Sequence, residues 1–339
     1  DVKYRDIILA EGALPALIQA AEDCDESLFR AIAYALSNLC SGEPGPDLLV
    51  IEPAFPLLAR LLSSQDVETV SEACRALSFI SAEGDNGIQT LIEADVVPQL
   101  VELLKCSITK ILSVAIRTIA NITKGRNTSQ IQLIMSYDVL PCLLELLDHR
   151  DGDIRKDVCN VIANLACDSY QIQAMIDTGL FSKLFELTKL FEDIGKEEAV
   201  SAVYNSTLYS SPLQVCYLVD VGVIPALFNL LANFACGPVV ELLRILEVLE
   251  KILRLNQSTL EKLQIITRIC DCGGMDVLQS LRKSFSRRVT SYANSIMEMI
   301  FDSHLLSDDP KEALTVEQYY LKILGIEKNP PIQQVIDCG

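Results

Sequence analysis

One position recurs along this 339-residue chain at a nearly constant step. Asn38 lies near the end of the stretch 30–40, where Ile32, Leu36 and Leu39 fall three to four apart, the spacing of one helix face. Asn121, Asn164 and Asn205 hold the same place in later stretches of the same pattern, and Phe79 takes the place in between. Successive positions are 41, 42, 43 and 41 residues apart. A second marker keeps the step: Pro15, Pro56, Pro98 and Pro141 are separated by 41, 42 and 43 residues, Lys183 fills the next slot, and Pro225 follows. Each proline opens an apolar run, and proline is tolerated in a helix's first turn because its missing N–H has no partner there to lose.

Two independent markers with one period define a repeat array. A period of roughly 40–47 residues is the range of armadillo and HEAT helical solenoids. Each period parses into a short H1, an H2 opening near the proline, and a long H3 carrying the asparagine. The spacing predicts H3 helices over 26–40, 67–81, 109–124, 154–167, 196–209, 239–255 and 287–301. Gly12, Gly179, Gly222 and Gly273-Gly274 mark H1–H2 turns. The expectation is an all-α, right-handed superhelical armadillo-repeat solenoid of about seven three-helix repeats over residues 1–301. A polar tail, 302–339, is expected to be partly ordered. The chain begins inside a repeat, which reads as a fragment.

Net charge is −18. That argues against a nucleic-acid partner, since phosphates attract a basic face, and it suits basic peptides. Plain solubility explains the charge equally well. The 12 cysteines are scattered through apolar helices, as small buried residues of a reducing compartment. Cys270 and Cys272 form a lone C-x-C with no second pair or nearby histidine, a poor metal site. No Gly-rich phosphate loop, paired nucleophile or metal cluster is visible, so no enzyme activity and no cofactor are expected. No apolar run reaches the roughly 18 residues of a membrane span, and no membrane partner is expected.

The stretch Phe29-Arg30-Ala31-Ile32-Ala33-Tyr34-Ala35-Leu36-Ser37-Asn38-Leu39-Cys40 resembles the importin-alpha version of the armadillo repeat, with Tyr34 where that family has Trp. Residues 115–122, 197–205, 215–222 and 272–276 resemble its later repeats in order. The resemblance covers about 5–301, the later part of the family's solenoid. It implies an adaptor that carries Lys/Arg-rich nuclear-localisation peptides of cargo proteins along a concave H3 face, in cytoplasm and nucleus. It also implies importin-beta as partner, through an N-terminal segment with no counterpart here, and an export recycling factor at the last repeats. In such a groove, asparagine amides hold the peptide backbone, tryptophans four residues earlier stack on Lys and Arg, and acidic residues three before the ring meet the charged tips.

Carried over residue by residue, the peptide-binding set is Tyr34, Asn38, Glu72, Arg117, Asn121, Asp157, Asn164, Glu198 and Asn205. Acid, ring and asparagine at i, i+3 and i+7 share one helix face. The aromatic part departs from the family: the chain has no Trp, and Arg75, Asn160 and Ser201 stand at ring positions. Arg75 is expected to repel a ligand lysine. Each missing stack removes roughly 0.5–2 kcal/mol. Plainer readings stand beside these. The asparagines tether neighbouring H3 helices, Arg117 is a salt-bridge element, and the three acids form a solvated face. The alternative function is a divergent armadillo scaffold that binds a different protein partner, with basic-peptide recognition weakened or lost.

Overall fold

The computed structural model describes residues 2–23, 26–125, 127–189, 195–234, 238–255 and 259–301. The expected tail, 302–339, lies outside the described residues. Helices and short 3₁₀ turns make up the secondary structure, with no strand among the described residues. The chain divides into two compact units, Asp1–Ser210 and Ser211–Gly339.

The first unit holds five three-helix groups. They are α1 (Val2–Ala10), α2 (Ala13–Asp23) and α3 (Phe29–Cys40); α4 (Leu48–Ile51), α5 (Phe55–Leu62) and α6 (Val67–Ser81); α7 (Gly84–Glu93), α8 (Val97–Leu103) and α9 (Thr109–Thr123); α10 (Thr128–Met135), α11 (Val139–Leu146) and α12 (Gly152–Leu165); and α13 (Ser169–Asp177), α14 (Leu180–Leu187) and α15 (Lys196–Leu208). The second unit holds α16 (Pro212–Asp220), α17 (Val223–Asn233) and α18 (Val239–Leu255), then α19 (Thr259–Asp271), α20 (Gly274–Leu281) and α21 (Arg287–Phe301). Among the described residues no single helix is long and apolar enough to cross a membrane.

In the first unit the H3 helices α3, α6, α9, α12 and α15 pack each on the next. Every one buries more than a single stripe. In α12, Ile154, Val158, Cys159, Val161, Ile162 and Leu165 are all buried, some toward the helices of their own repeat and some toward the neighbouring H3. Each large apolar side chain removed from water in this way contributes about 1.5–3 kcal/mol. Within the second unit α18 packs on α21 in the same manner.

Outside the second group, where a 3₁₀ turn over Glu52–Ala54 joins the helices, each H1–H2 turn uses a left-handed residue. Gly12 (φ +83°), Gly179 (+73°), Gly222 (+107°) and Gly273 (+71°) supply it. In the third and fourth groups Asp95 (φ +55°) and Asp138 (+58°) do so instead. Aspartate is among the few non-glycine residues that tolerate this region, because its short polar side chain bonds locally.

Helix starts follow side-chain caps. Asp66 accepts from the Thr69 amide, Asn127 from Ser129 and Gln130, and Asp168 from Tyr170 and Gln171. Three expected boundaries, in two H3 helices, shift for such reasons. The fourth H3 begins at Gly152, not 154, because Asp151 caps it, and ends at Leu165, not 167, because Ala166 leaves the helical region with ψ 74°. The first H3, expected from 26, is α-helical only from Phe29, since Leu28 offers no side-chain cap and residues Glu26–Leu28 tighten into a 3₁₀ turn.

Candidate functional site

The last four carbonyls of any α-helix lack intrahelical partners. In the H3 array the next helix supplies one. Asn121 Nδ2 on α9 donates to the Ser78 hydroxyl (3.0 Å) and carbonyl (3.4 Å) near the end of α6. Asn164 Nδ2 on α12 donates to the Ala120 carbonyl (3.0 Å) and Thr123 Oγ1 (3.3 Å) near the end of α9. Asn205 Nδ2 on α15 donates to the Ala163 carbonyl (2.7 Å) near the end of α12. The tethering role of these amides is therefore present in the fold. Asn38 stands exposed at the equivalent place on α3, and Phe79, half-buried, fills the slot on α6.

These bonds decide what the side chains offer a ligand. The donors face the preceding helix, so each amide presents its oxygen, an acceptor suited to the N–H of an extended backbone. Asn121, Asn164 and Asn205 remain part-exposed.

The acidic positions are each paired with a cation. The Glu72 carboxylate lies 2.6 Å from Arg75 on its own helix and accepts from Ser37 Oγ at 2.6 Å on α3. Asp157 faces Arg117 across the α9–α12 seam at 3.7 Å. Glu198 faces Lys156 across the α12–α15 seam at 3.6 Å. In each pair the acid is the more covered partner: Glu72, Asp157 and Glu198 side chains are 18%, 16% and 26% exposed, against 41%, 61% and 42% for Arg75, Arg117 and Lys156. Burial pushes the Asp157 carboxyl above the usual carboxylate range, although Arg117 and Lys156 pull the other way. Arg30 with Asp66 and Lys110 with Glu68 add two further ion pairs along the array.

Tyr34, the one aromatic ring at a ring position, is exposed, and the Arg75 guanidinium lies 5.8 Å from its centroid. Arg75, expected to repel a ligand lysine, is held by groups of the chain itself. It is turned into the Glu72–Ser37–Tyr34 corner, with Nη2 donating to Ser37 Oγ at 2.8 Å.

Several participants escaped the sequence reading. Ser78, Ala120 and Ala163 immediately precede the slots at 79, 121 and 164, and their small side chains sit where the next H3 reaches in; a small residue one before each slot was the visible signal. Arg5, buried at 7% exposure, donates to the carbonyls of Ser41 (3.0 Å), Pro44 (2.9 Å) and Gly45 (3.1 Å) and so pins the loop after α3. Among the cysteines, Cys40, Cys74 and Cys159 are buried in H3 helices, and burial pushes each thiol up to about 12.

The repeat fold has counterparts among known proteins. The armadillo/beta-catenin-like repeat family matches residues 43–82, 84–124 and 127–167. The fold and its H3 amide ladder define an armadillo-repeat protein. Importin subunit alpha-1a of Oryza sativa subsp. japonica is 43% identical over 185 residues, 54% of this chain and 35% of that protein. Importin subunit alpha-4 of Arabidopsis thaliana is 34% identical over 291 residues, 84% of this chain and 54% of that protein. The chain is similar to importin-alpha subunits over most of its length, and it spans about half, or less, of the length of these curated relatives. Among solved structures, an engineered protein is similar with a TM-score of 0.74 and 26% identity, covering 88% of this chain and 71% of that one. A designed armadillo repeat protein in complex with the peptide (KR)4 is similar with a TM-score of 0.63 and 26% identity, covering 72% and 98% of the two chains.

Proposed function

We propose that the chain is a non-enzymatic nuclear-import adaptor which holds an extended Lys/Arg-rich segment of its cargo along the H3 face of the first unit. One observation carries this reading. Asn121, Asn164 and Asn205 recur at the repeat step, each with its amide nitrogen donating to the preceding H3 helix, which leaves the three amide oxygens as acceptors repeated along the array. An extended peptide offers N–H groups at regular intervals and needs no particular side chain to meet them. The Asp157 and Glu198 carboxylates, 3.7 Å from Arg117 and 3.6 Å from Lys156, then also accept cationic side chains of the ligand. The (KR)4 complex of the similar designed protein supports the same ligand class. Shuttling between cytoplasm and nucleus, association with importin-beta and release by an export factor belong to the same proposal.

The test is fluorescence anisotropy with labelled (KR)4 at two salt concentrations, for the parent and the Asn164→Ala/Asn205→Ala variant, with thermal melts as a check on folding. Salt-sensitive binding that the double variant loses while still folded supports the reading. Binding unchanged by the double variant overturns it.

A second reading, a scaffold for a different partner, is favoured by the pairing of all three acids with the chain's own cations. Exposed ion pairs are worth only about 0–1 kcal/mol each, so a peptide cation gains little by displacing them. Absence of (KR)4 binding by the parent protein would decide for this reading.

A further inference from the structure

Between α3 and α6 the fold builds a pocket suited to a cation. The exposed Tyr34 ring forms one wall, and the Glu72 carboxylate, held by Ser37 Oγ at 2.6 Å, forms the other. An aromatic face beside a half-covered carboxylate attracts a guanidinium or ammonium through the ring quadrupole and through charge. The chain fills this pocket itself. Arg75 lies 2.6 Å from Glu72, donates to Ser37 Oγ at 2.8 Å and stands 5.8 Å from the Tyr34 centroid. Its seat is incomplete, because Nε is buried with no hydrogen-bond partner. Orphaned buried donors of this kind are rare and mark a strained or functional group.

We propose that Arg75 is a resident cation which occupies the Tyr34–Ser37–Glu72 subsite, excludes a ligand Lys or Arg from it, and confines basic-peptide recognition to α9, α12 and α15. Arg75 is thereby a specificity-determining residue: it shortens the stretch over which a basic segment is read. The α9–α15 half of the statement rests on the peptide-binding reading above, whereas the occupancy of the subsite does not. The chemistry is direct competition. Glu72 has one cation already in contact, and a second brings like charge against Arg75. Removing the guanidinium leaves the ring, the hydroxyl and the carboxylate in place for an incoming side chain.

Labelled (KR)4 is titrated by anisotropy into the full chain, Arg75→Gln, Arg75→Gln/Glu72→Gln and Asn164→Ala/Asn205→Ala. Arg75→Gln is expected to bind roughly 3- to 30-fold tighter than the parent, the range of one recovered cation–π contact. Adding Glu72→Gln is expected to cancel the gain. Arg75→Gln equal to or weaker than the parent overturns the proposal, as does a gain that survives Glu72→Gln. Failure of the peptide-binding reading shows up separately, as an Asn164→Ala/Asn205→Ala variant that binds like the parent. A measurement without peptide guards against folding effects: the buried Nε–H of Arg75 is expected to exchange slowly in ¹⁵N-arginine NMR and to become fast in Glu72→Gln. Fast exchange in the parent overturns the occupancy.

Discussion

The amide nitrogen of Asn205 donates to the carbonyl oxygen of Ala163 at 2.7 Å, joining the side chain of one H3 helix to the open end of the one before it. The bond satisfies a carbonyl in the last turn of α12 that its own helix leaves unpaired. Asn205→Ala is expected to cost about 0.5–1.5 kcal/mol, the net worth of an ordinary hydrogen bond. Urea denaturation checks this, and an unchanged midpoint would show that water replaces the amide at no cost.

Asp157 should behave in the opposite sense. Burial holds its carboxyl above the usual range, so the folded chain binds that proton more readily than the unfolded chain does. The charged form is therefore the less stable folded form, and this group's contribution falls as pH rises through its shifted value. Asp157→Asn is expected to stabilise the fold at neutral pH, with the difference from the parent shrinking in acid. The same change should weaken (KR)4 binding. Chemical denaturation at pH 4 and pH 7, beside anisotropy, tests both halves.

Gly87 lies inside α7, and a Cβ there would meet the Ile80 carbonyl oxygen at 2.1 Å. Backbone cannot swing aside as a side-chain tip can, so Gly87→Ala is expected to cost about 1–3 kcal/mol despite alanine's better helix propensity. A thermal melt at or above the parent's would contradict the close approach.

Arg5 grips the carbonyls of Ser41, Pro44 and Gly45 with its two terminal nitrogens. A lysine ammonium cannot reproduce that fork. Both Arg5→Ala and Arg5→Lys are expected to lose about 1.5–3 kcal/mol, the worth of hydrogen bonds from a charged donor. Limited proteolysis should report cleavage in 41–47 that the parent resists.

Thiol labelling makes a further check. With their thiols pushed up to about 12, Cys40, Cys74 and Cys159 stay protonated at pH 8. A disulfide reagent is expected to modify them only after unfolding; rapid native labelling at any of the three, located by peptide mapping, would contradict their burial.

Much of the fold was legible because period and apolar spacing are local. The H2 over Phe55–Leu62 and the H3 helices Val67–Ser81, Val239–Leu255 and Arg287–Phe301 lie where the spacing puts them. The left-handed turns at Asp95 and Asp138 were missed because glycine was taken as the turn signal. The charge pattern of the H3 face was legible only in part. Arg117 and Asp157 are 40 residues apart, and their meeting depends on how α9 and α12 pack. Glu72 and Arg75 are three apart on one helix, so their pairing was open to the i, i+3 rule. The corner they share with Ser37 and Tyr34 arises only when α3 docks on α6.

The asparagine ladder gives the array a direction. Each junction from α6 to α15 is bridged by an amide from the later helix acting on the earlier one, at Ser78, Ala120 and Ala163 in turn. Truncation is consequently asymmetric. Cutting after a repeat strips the surviving H3 of an amide on its last turn, although Ser78 and Ala120 keep a hydroxyl of their own helix, from Ser81 and Thr123, whereas cutting before one merely idles a donor that water can take up. In a chain whose stability is a sum of unit and neighbour energies, a cut between repeats of the first unit is therefore costlier to the repeat upstream of it than to the one downstream.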